Sequence, residues 1–348
     1  MKDRLHNYQY VFICVLFSAA GIFLPALVRN TVGTDAFLCF LTAFPLGLLN
    51  LYAVTSVYKK AKGPFNAFSR CFGKKAAKIV LAANSLYFTF SGALILAYFA
   101  LYAAKGQGPY FTALFIIPTA IGICISAFST SSLGRTAVII GGMTAISAAV
   151  FFGASLINGR GENLSFPSFP STGIFLNVTA VLFSLMFAEC GAIVCLSGGL
   201  KSVKKLPRLT LISCGAAGVA VLIAAFLDIF LNGQTGAAYL SSYSDRFDTS
   251  AFAVLASAAL FFASVFRASV CMRAAAVSIS EAFNVKKKNV FVCIFSAFIA
   301  VISLILAKDM EFISSFILKW AWMPSIAIGT ALPVLALICE KLVKRAKS

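Results

Sequence analysis

Apolar positions in this chain do not alternate with polar ones. They run together in blocks of about twenty, separated by short clusters rich in Lys, Arg, Gly, Asn and Ser. An α-helix needs ~20 residues to cross the hydrocarbon core of a bilayer, at 1.5 Å per residue. Strands of a membrane barrel would be about half that length and would alternate in polarity. The pattern therefore predicts an all-α polytopic membrane protein. Ten transmembrane helices are expected at about 8–28, 35–57, 78–104, 110–129, 136–157, 173–199, 209–231, 250–275, 289–307 and 312–339. The first block is too long for the apolar region of a signal peptide and carries Pro25, so it counts as the first span.

Composition agrees. Of 348 residues 60% are apolar and 11% charged, with a mean hydropathy of +0.94. Loops near 158–172 and 232–249 are the longest, and both are too short for a soluble domain. A single transmembrane domain spanning 1–348 is expected. The formal net charge of +18 invites a nucleic-acid reading, but its distribution argues against one. Assigning loops alternately to two sides puts 22 Lys and Arg on the side with both termini and five on the other. Arg267 and Lys319 fall within spans. That asymmetry predicts cytoplasmic termini by the positive-inside rule, and an even number of spans requires the termini to share a side.

Few catalytic chemistries are compatible with the residue inventory. The ten cysteines form no CxxC pair, and all but Cys71 lie in or at the edge of spans, as small buried hydrophobes do. His6, before the first span, is the sole histidine. A Ser-His protease, an HExxH metal site and Gly-rich nucleotide fingerprints are thereby excluded, so neither an enzyme nor a cofactor is expected.

Two spans carry signs of a break. In the first, Pro25 lacks an N–H, which leaves the Gly21 carbonyl without its helical donor. Gly21 itself admits unusual backbone angles. Together they predict an unwound or kinked point halfway across the membrane. The sixth span, LMFAECGAIVCLSGG (185–199), sets Glu189, Cys190 and Gly191 in an otherwise apolar run. Gly21 and Gly191 are 170 residues apart, close to half the chain, and each begins a set of five spans. Five is odd, so the halves (about 8–157 and 173–339) insert in opposite orientations. Matching breaks in inverted halves point to a midplane binding site between them, where half-helix N-termini meet a carboxylate and freed carbonyls an ammonium.

Several stretches, taken in order, resemble one family. They are GIFLPALVRNTVGTDAFLCFL (21–41), the basic linker YKKAKGPFNAFSRCFGKK (58–75) and FAECGAIVCLSGGLKSVKK (187–205) with its Phe-x-Glu. FRASVCMRAAAVSISEAFNVKKK (266–288) and ALPVLALICEKLVKR (331–345) follow. The chain resembles the spore germination permeases, B subunits of nutrient-germinant receptors within the amino acid–polyamine–organocation (APC) transporter superfamily. That resemblance implies a LeuT-like fold of ten helices in a five-plus-five inverted repeat, with the first and sixth broken. It also implies the inner membrane of a spore, an A-type membrane subunit and a C-type lipoprotein as partners, and a small germinant, such as an amino acid, as ligand.

The pocket expected on this basis is built from Ser18, Ala20, Gly21 and Ile22 of the first span with Phe187, Glu189, Cys190 and Gly191 of the sixth. Backbone of the first span would take the carboxylate; Glu189 or backbone of the sixth would take the amine. Glu189 has three readings: a protonated carboxyl held by a neighbour, a partner for a cation in the bundle, or a direct ligand contact. Arg267 lies in the inner half of span eight. In the implied fold that region often holds sodium against span one, so a guanidinium there could replace the ion; snorkelling to the interface is the alternative. Lys319 is expected to snorkel beside Trp320 and Trp322. Asp228 and Glu281, near span ends, are expected to be structural. Tyr87 and Tyr98 on span three are expected near the pocket, chiefly as packing residues. An amino acid transporter, proton-coupled or exchanging, is the competing function, since the same pocket would serve it.

Overall fold

A computed structural model of the protein describes residues 5–59, 61, 63–104, 109–158, 170–200, 203–232 and 250–345. Among these residues every regular element is helical, and extended pairing is confined to one parallel bridge, Leu5 with Leu200. Among the described residues, eight helices are long and apolar enough to cross a membrane. Two shorter apolar helices, Asn7–Ala19 and Tyr110–Ser126, lie where the first and fourth spans are predicted. The protein is a multi-pass helical membrane protein.

Three elements differ from the hydrophobic pattern. Span one does not unwind. Its helix Asn7–Ala19 tightens into a 3₁₀ turn, Ala20–Ile22, and resumes as Phe23–Val32. Span three begins far upstream of its apolar block, as Pro64–Ala104, with a kink at Gly73 where φ is 82° and ψ 166°. The basic linker is thus largely helical, because Phe65, Phe68 and Phe72 recur at helical spacing. Phe68 is buried and packs edge-on against Tyr58 at 6.0 Å, while Arg70, Lys74 and Lys75 face outward.

Span ten is the third departure. It runs Met310–Phe316, Trp322–Ile326 and Leu332–Arg345, with π segments Ile317–Ala321 and Ala327–Ala331 between. Pro324 and Pro333 explain their positions. Each lacks an N–H and clashes with the carbonyl four residues earlier, and those carbonyls, of Trp320 and Gly329, fall inside the two π segments.

Spans one, three, six and eight form the interior; among the long spans the last three stand out. In their most apolar stretches 67%, 83% and 83% of residues are buried, against at most 39% for the other long spans. Span eight, Ser250–Ala282, packs along span three, span one packs against spans five and seven, and span two packs against spans six and seven. At the lysine-rich end of the bundle the Leu5 N–H donates to the Gly199 carbonyl at 2.8 Å. Close by, the carboxylate of Glu281, near the end of span eight, accepts the Phe65 N–H at 3.0 Å and lies 4.0 Å from Lys288. Glu281 therefore caps the start of the helix of span three. The side chain of Asp228 lies outside the described residues.

Candidate ligand site at two matched helix breaks

The break in span six has the same form as that in span one. Helix Thr172–Met186 ends at Phe187, a 3₁₀ turn Ala188–Cys190 follows, and a short helix Gly191–Cys195 resumes. Its signature is the Cys190 N–H, which bonds the Phe187 carbonyl three residues back at 3.2 Å. Gly191 keeps right-handed angles, φ −52° and ψ −32°. Gly21 likewise lies outside the positive-φ region, so the freedom of glycine is not what either position uses. What Gly21 supplies is closeness. An added Cβ would stand 3.1 Å from the Met186 side chain and 3.4 Å from Nη1 of Arg267.

Glu189 and Arg267 form a buried ion pair across the two turns. Nη2 of Arg267 donates to Oε2 of Glu189 at 2.7 Å, and each side chain is only 2% exposed. The same Nη2 donates to the Leu185 carbonyl at the end of the helix before the break. The guanidinium carbon lies 4.7 Å from the centre of the Phe17 ring. One arginine on span eight therefore touches span one through a cation–π contact and span six through an ion pair. Of the three readings of Glu189, the pairing with a cation is the one present. Arg267 does not snorkel. It is 1% exposed, among the most deeply buried large side chains of the protein.

Burial sharpens the electrostatics. Two opposite charges in a low dielectric attract strongly, yet each has lost its hydration, so the pair holds only while both partners are present. Nη2 meets both its acceptors, whereas Nε and Nη1 of Arg267 have none among the described residues. Two buried hydroxyls lie nearby: Ser18 Oγ beside Cys190 and Cys214, and Tyr87 OH beside Glu189 and Ser325. A cavity of about 10 Å³ adjoins the pair, walled by Leu24, Leu94, Tyr98 and Ile317. That space suits one water-sized group; an amino acid would have to part the turns.

Of the residues expected to form a pocket, the structure brings Ser18, Gly21, Glu189 and Cys190 together. Cys190 donates its thiol to the Met186 carbonyl at 3.3 Å and faces Cys214, with Ser18 and Cys14 beside them. Ala20 is buried in the first turn, and Ile22 contributes backbone to it, its side chain lying outside the description. Pro25 sits in the helix after the turn. Phe187 points elsewhere, into span two, where its ring lies 6.0 Å from Phe44 and 6.4 Å from Phe40 and covers Gly47. Gly191 faces Phe88 of span three at 3.8 Å. Lys319 is exposed beside Trp320.

Span ten contributes what sequence reasoning missed. A Cβ on Gly329 would stand 2.5 Å from the Ala188 carbonyl oxygen, so the second π segment lies directly on the break of span six. The Gly329 carbonyl, which Pro333 cannot serve, accepts from Nδ2 of the buried Asn50 at 3.4 Å. Ile317, in the first π segment, walls the cavity. The available signal was the pair Pro324 and Pro333.

No protein-family model matches the sequence, and no curated protein matches it. Solved structures do. MhsT in complex with L-phenylalanine is 15% identical, with a TM-score of 0.68 over 99% of this chain and 99% of that one. Mhp1, a nucleobase-cation-symport-1 family transporter in a closed conformation with bromovinylhydantoin bound, is 11% identical, with a TM-score of 0.63 over 91% of this chain and 75% of that one. A Na⁺-coupled sialic acid symporter in a substrate-bound outward-open state is 12% identical, with a TM-score of 0.58 over 89% and 81%. At such identities the likeness concerns the fold. The chain has the LeuT-type transporter fold, an all-helical inverted repeat whose first and sixth spans are broken.

Proposed function

We propose that the protein is the membrane subunit of a spore nutrient-germinant receptor. In this reading it binds a small germinant, an amino acid, at the two breaks and passes occupancy to A-type and C-type partner subunits. The observation that carries the ligand site is the buried Glu189–Arg267 pair, which ties the break of span six to span one. The amino acid follows from the resemblance, and it is in keeping with MhsT, which shares this fold and has L-phenylalanine bound. A ligand that binds one arrangement of the turns better than another shifts the population between them, which is what signalling requires. The family resemblance assigns the subunit to the inner membrane of a spore, and the 22-to-5 division of Lys and Arg favours cytoplasmic termini.

Arg267 is also read as a built-in cation. A fixed guanidinium between spans one, six and eight does the electrostatic work of a bound sodium ion, so ligand binding should not require sodium. The alternative is amino acid transport, favoured by the fold shared with Mhp1, a transporter, and with a Na⁺-coupled symporter. Uptake of labelled amino acids by the purified chain in liposomes separates the two. A sensor gives no saturable flux without its partners; robust saturable flux would make the protein a transporter.

A further inference from the structure

We infer that Cys124 and Cys293 form an oxidisable thiol pair, which an organic hydroperoxide closes into a disulfide between spans four and nine. Neither residue lines the cavity beside Glu189 and Arg267, so this site is independent of the proposed function.

The two sulfurs lie 3.9 Å apart, on residues 169 positions distant in the chain. Cys124 belongs to span four, Pro109–Ser126, and Cys293 to span nine, Lys288–Leu306. One turn further along both helices, Ser296 Oγ donates to the Ala120 backbone carbonyl at 2.8 Å. A serine side chain is short, so the two backbones approach closely there, and a disulfide needs such closeness. Exposure sets the pair apart. Cys293 is the one exposed cysteine of the ten and Cys124 is half-buried, whereas six of the others are buried. Depth favours reaction as well. Cys293 lies in the second turn of its helix and Cys124 in the last turn of its own. Both are therefore within about 8 Å of a helix end, close to water that can accept a thiol proton.

The setting selects the oxidant. Cys293 is exposed on the surface of an apolar span, so an oxidant that dissolves in the bilayer, such as a hydroperoxide of an acyl chain, reaches it first. The deprotonated sulfur of Cys293 attacks the terminal peroxide oxygen and the O–O bond breaks. The alkoxide leaves and takes up a proton, giving an alcohol and a sulfenic acid on Cys293. The sulfur of Cys124 then attacks that sulfenic sulfur. The S–S bond forms, and hydroxide leaves as water with the proton from Cys124. Two thiols lose two electrons, and the hydroperoxide is reduced to alcohol and water. The new bond staples span four to span nine across the flank of spans three and eight, which both of them touch.

The test treats the full chain in lipid nanodiscs with cumene hydroperoxide, alkylates the remaining thiols and maps peptides by mass spectrometry without reduction. A peptide joining Cys124 to Cys293, lighter by two hydrogens than its parts and separated again by dithiothreitol, is expected. The loop it closes is long, so oxidation should raise the thermal midpoint of the wild type by about 3–6 °C. Cys124→Ser and Cys293→Ser should each abolish both the link and the rise. Wild type alone can overturn the pair. It does so if both residues are recovered alkylated, if Cys293 stops at a sulfinic acid with Cys124 still alkylated, or if either joins another cysteine. A link that leaves the midpoint unchanged, or a rise that persists in either variant, overturns the staple.

Discussion

Glu189 and Arg267 owe their places to each other. A carboxylate or a guanidinium alone at this depth would be strongly destabilising; together, at 2.7 Å, they form a neutral unit linking three spans. Removing one partner should therefore be worse than removing both. Arg267→Leu is expected to destabilise the purified protein by about 3–5 kcal/mol because it strands Glu189. Adding Glu189→Gln should recover much of that loss, which thermal unfolding in detergent will read. Because the pair is sealed from solvent, wild-type stability should depend little on ionic strength between 0.05 and 1 M salt, on the order of the range over which surface pairs are screened. Glu189 was visible in the sequence as a costly residue, but its partner was not. Arg267 is 78 residues away on another span, and no periodicity within one helix predicts which face of another it meets.

At the scale of elements, the matched breaks were legible and their shape was not. Gly21, Pro25 and Gly191 marked the places, since a missing N–H and a missing side chain have local consequences. That the chain tightens to 3₁₀ turns instead of unwinding depends on Met186, Arg267 and span ten pressing on those turns, which only packing reveals. The π segments of span ten follow from Pro324 and Pro333, whose significance is clear only once Gly329 is seen against Ala188. Gly329→Ala should push the second π segment off the span-six turn and destabilise the fold by about 1–3 kcal/mol, measured by thermal unfolding. Asn50→Leu removes the amide that serves the Gly329 carbonyl. A loss of about 1–2 kcal/mol is expected, again by unfolding, together with faster hydrogen exchange in residues 327–331.

For the molecule as a whole, hydropathy and charge were enough to give a multi-pass helical bundle, because bilayer thickness and unpaired backbone groups leave few alternatives. They do not reveal that spans one, three, six and eight form the interior, since lipid-facing and protein-facing apolar residues look alike in sequence. Sidedness is tested by reporter fusions to the two ends, both of which should report the cytoplasm. The central claim is that an amino acid binds at the two breaks, with Arg267 in place of a sodium ion. Its most direct test is thermal unfolding of the purified chain in sodium-free choline chloride buffer, against each of the twenty L-amino acids. At least one should raise the midpoint by about 5 °C at a hundredfold excess over its Kd, with no further gain when sodium is added. No shift with any amino acid, or a shift that appears only with sodium, would contradict it.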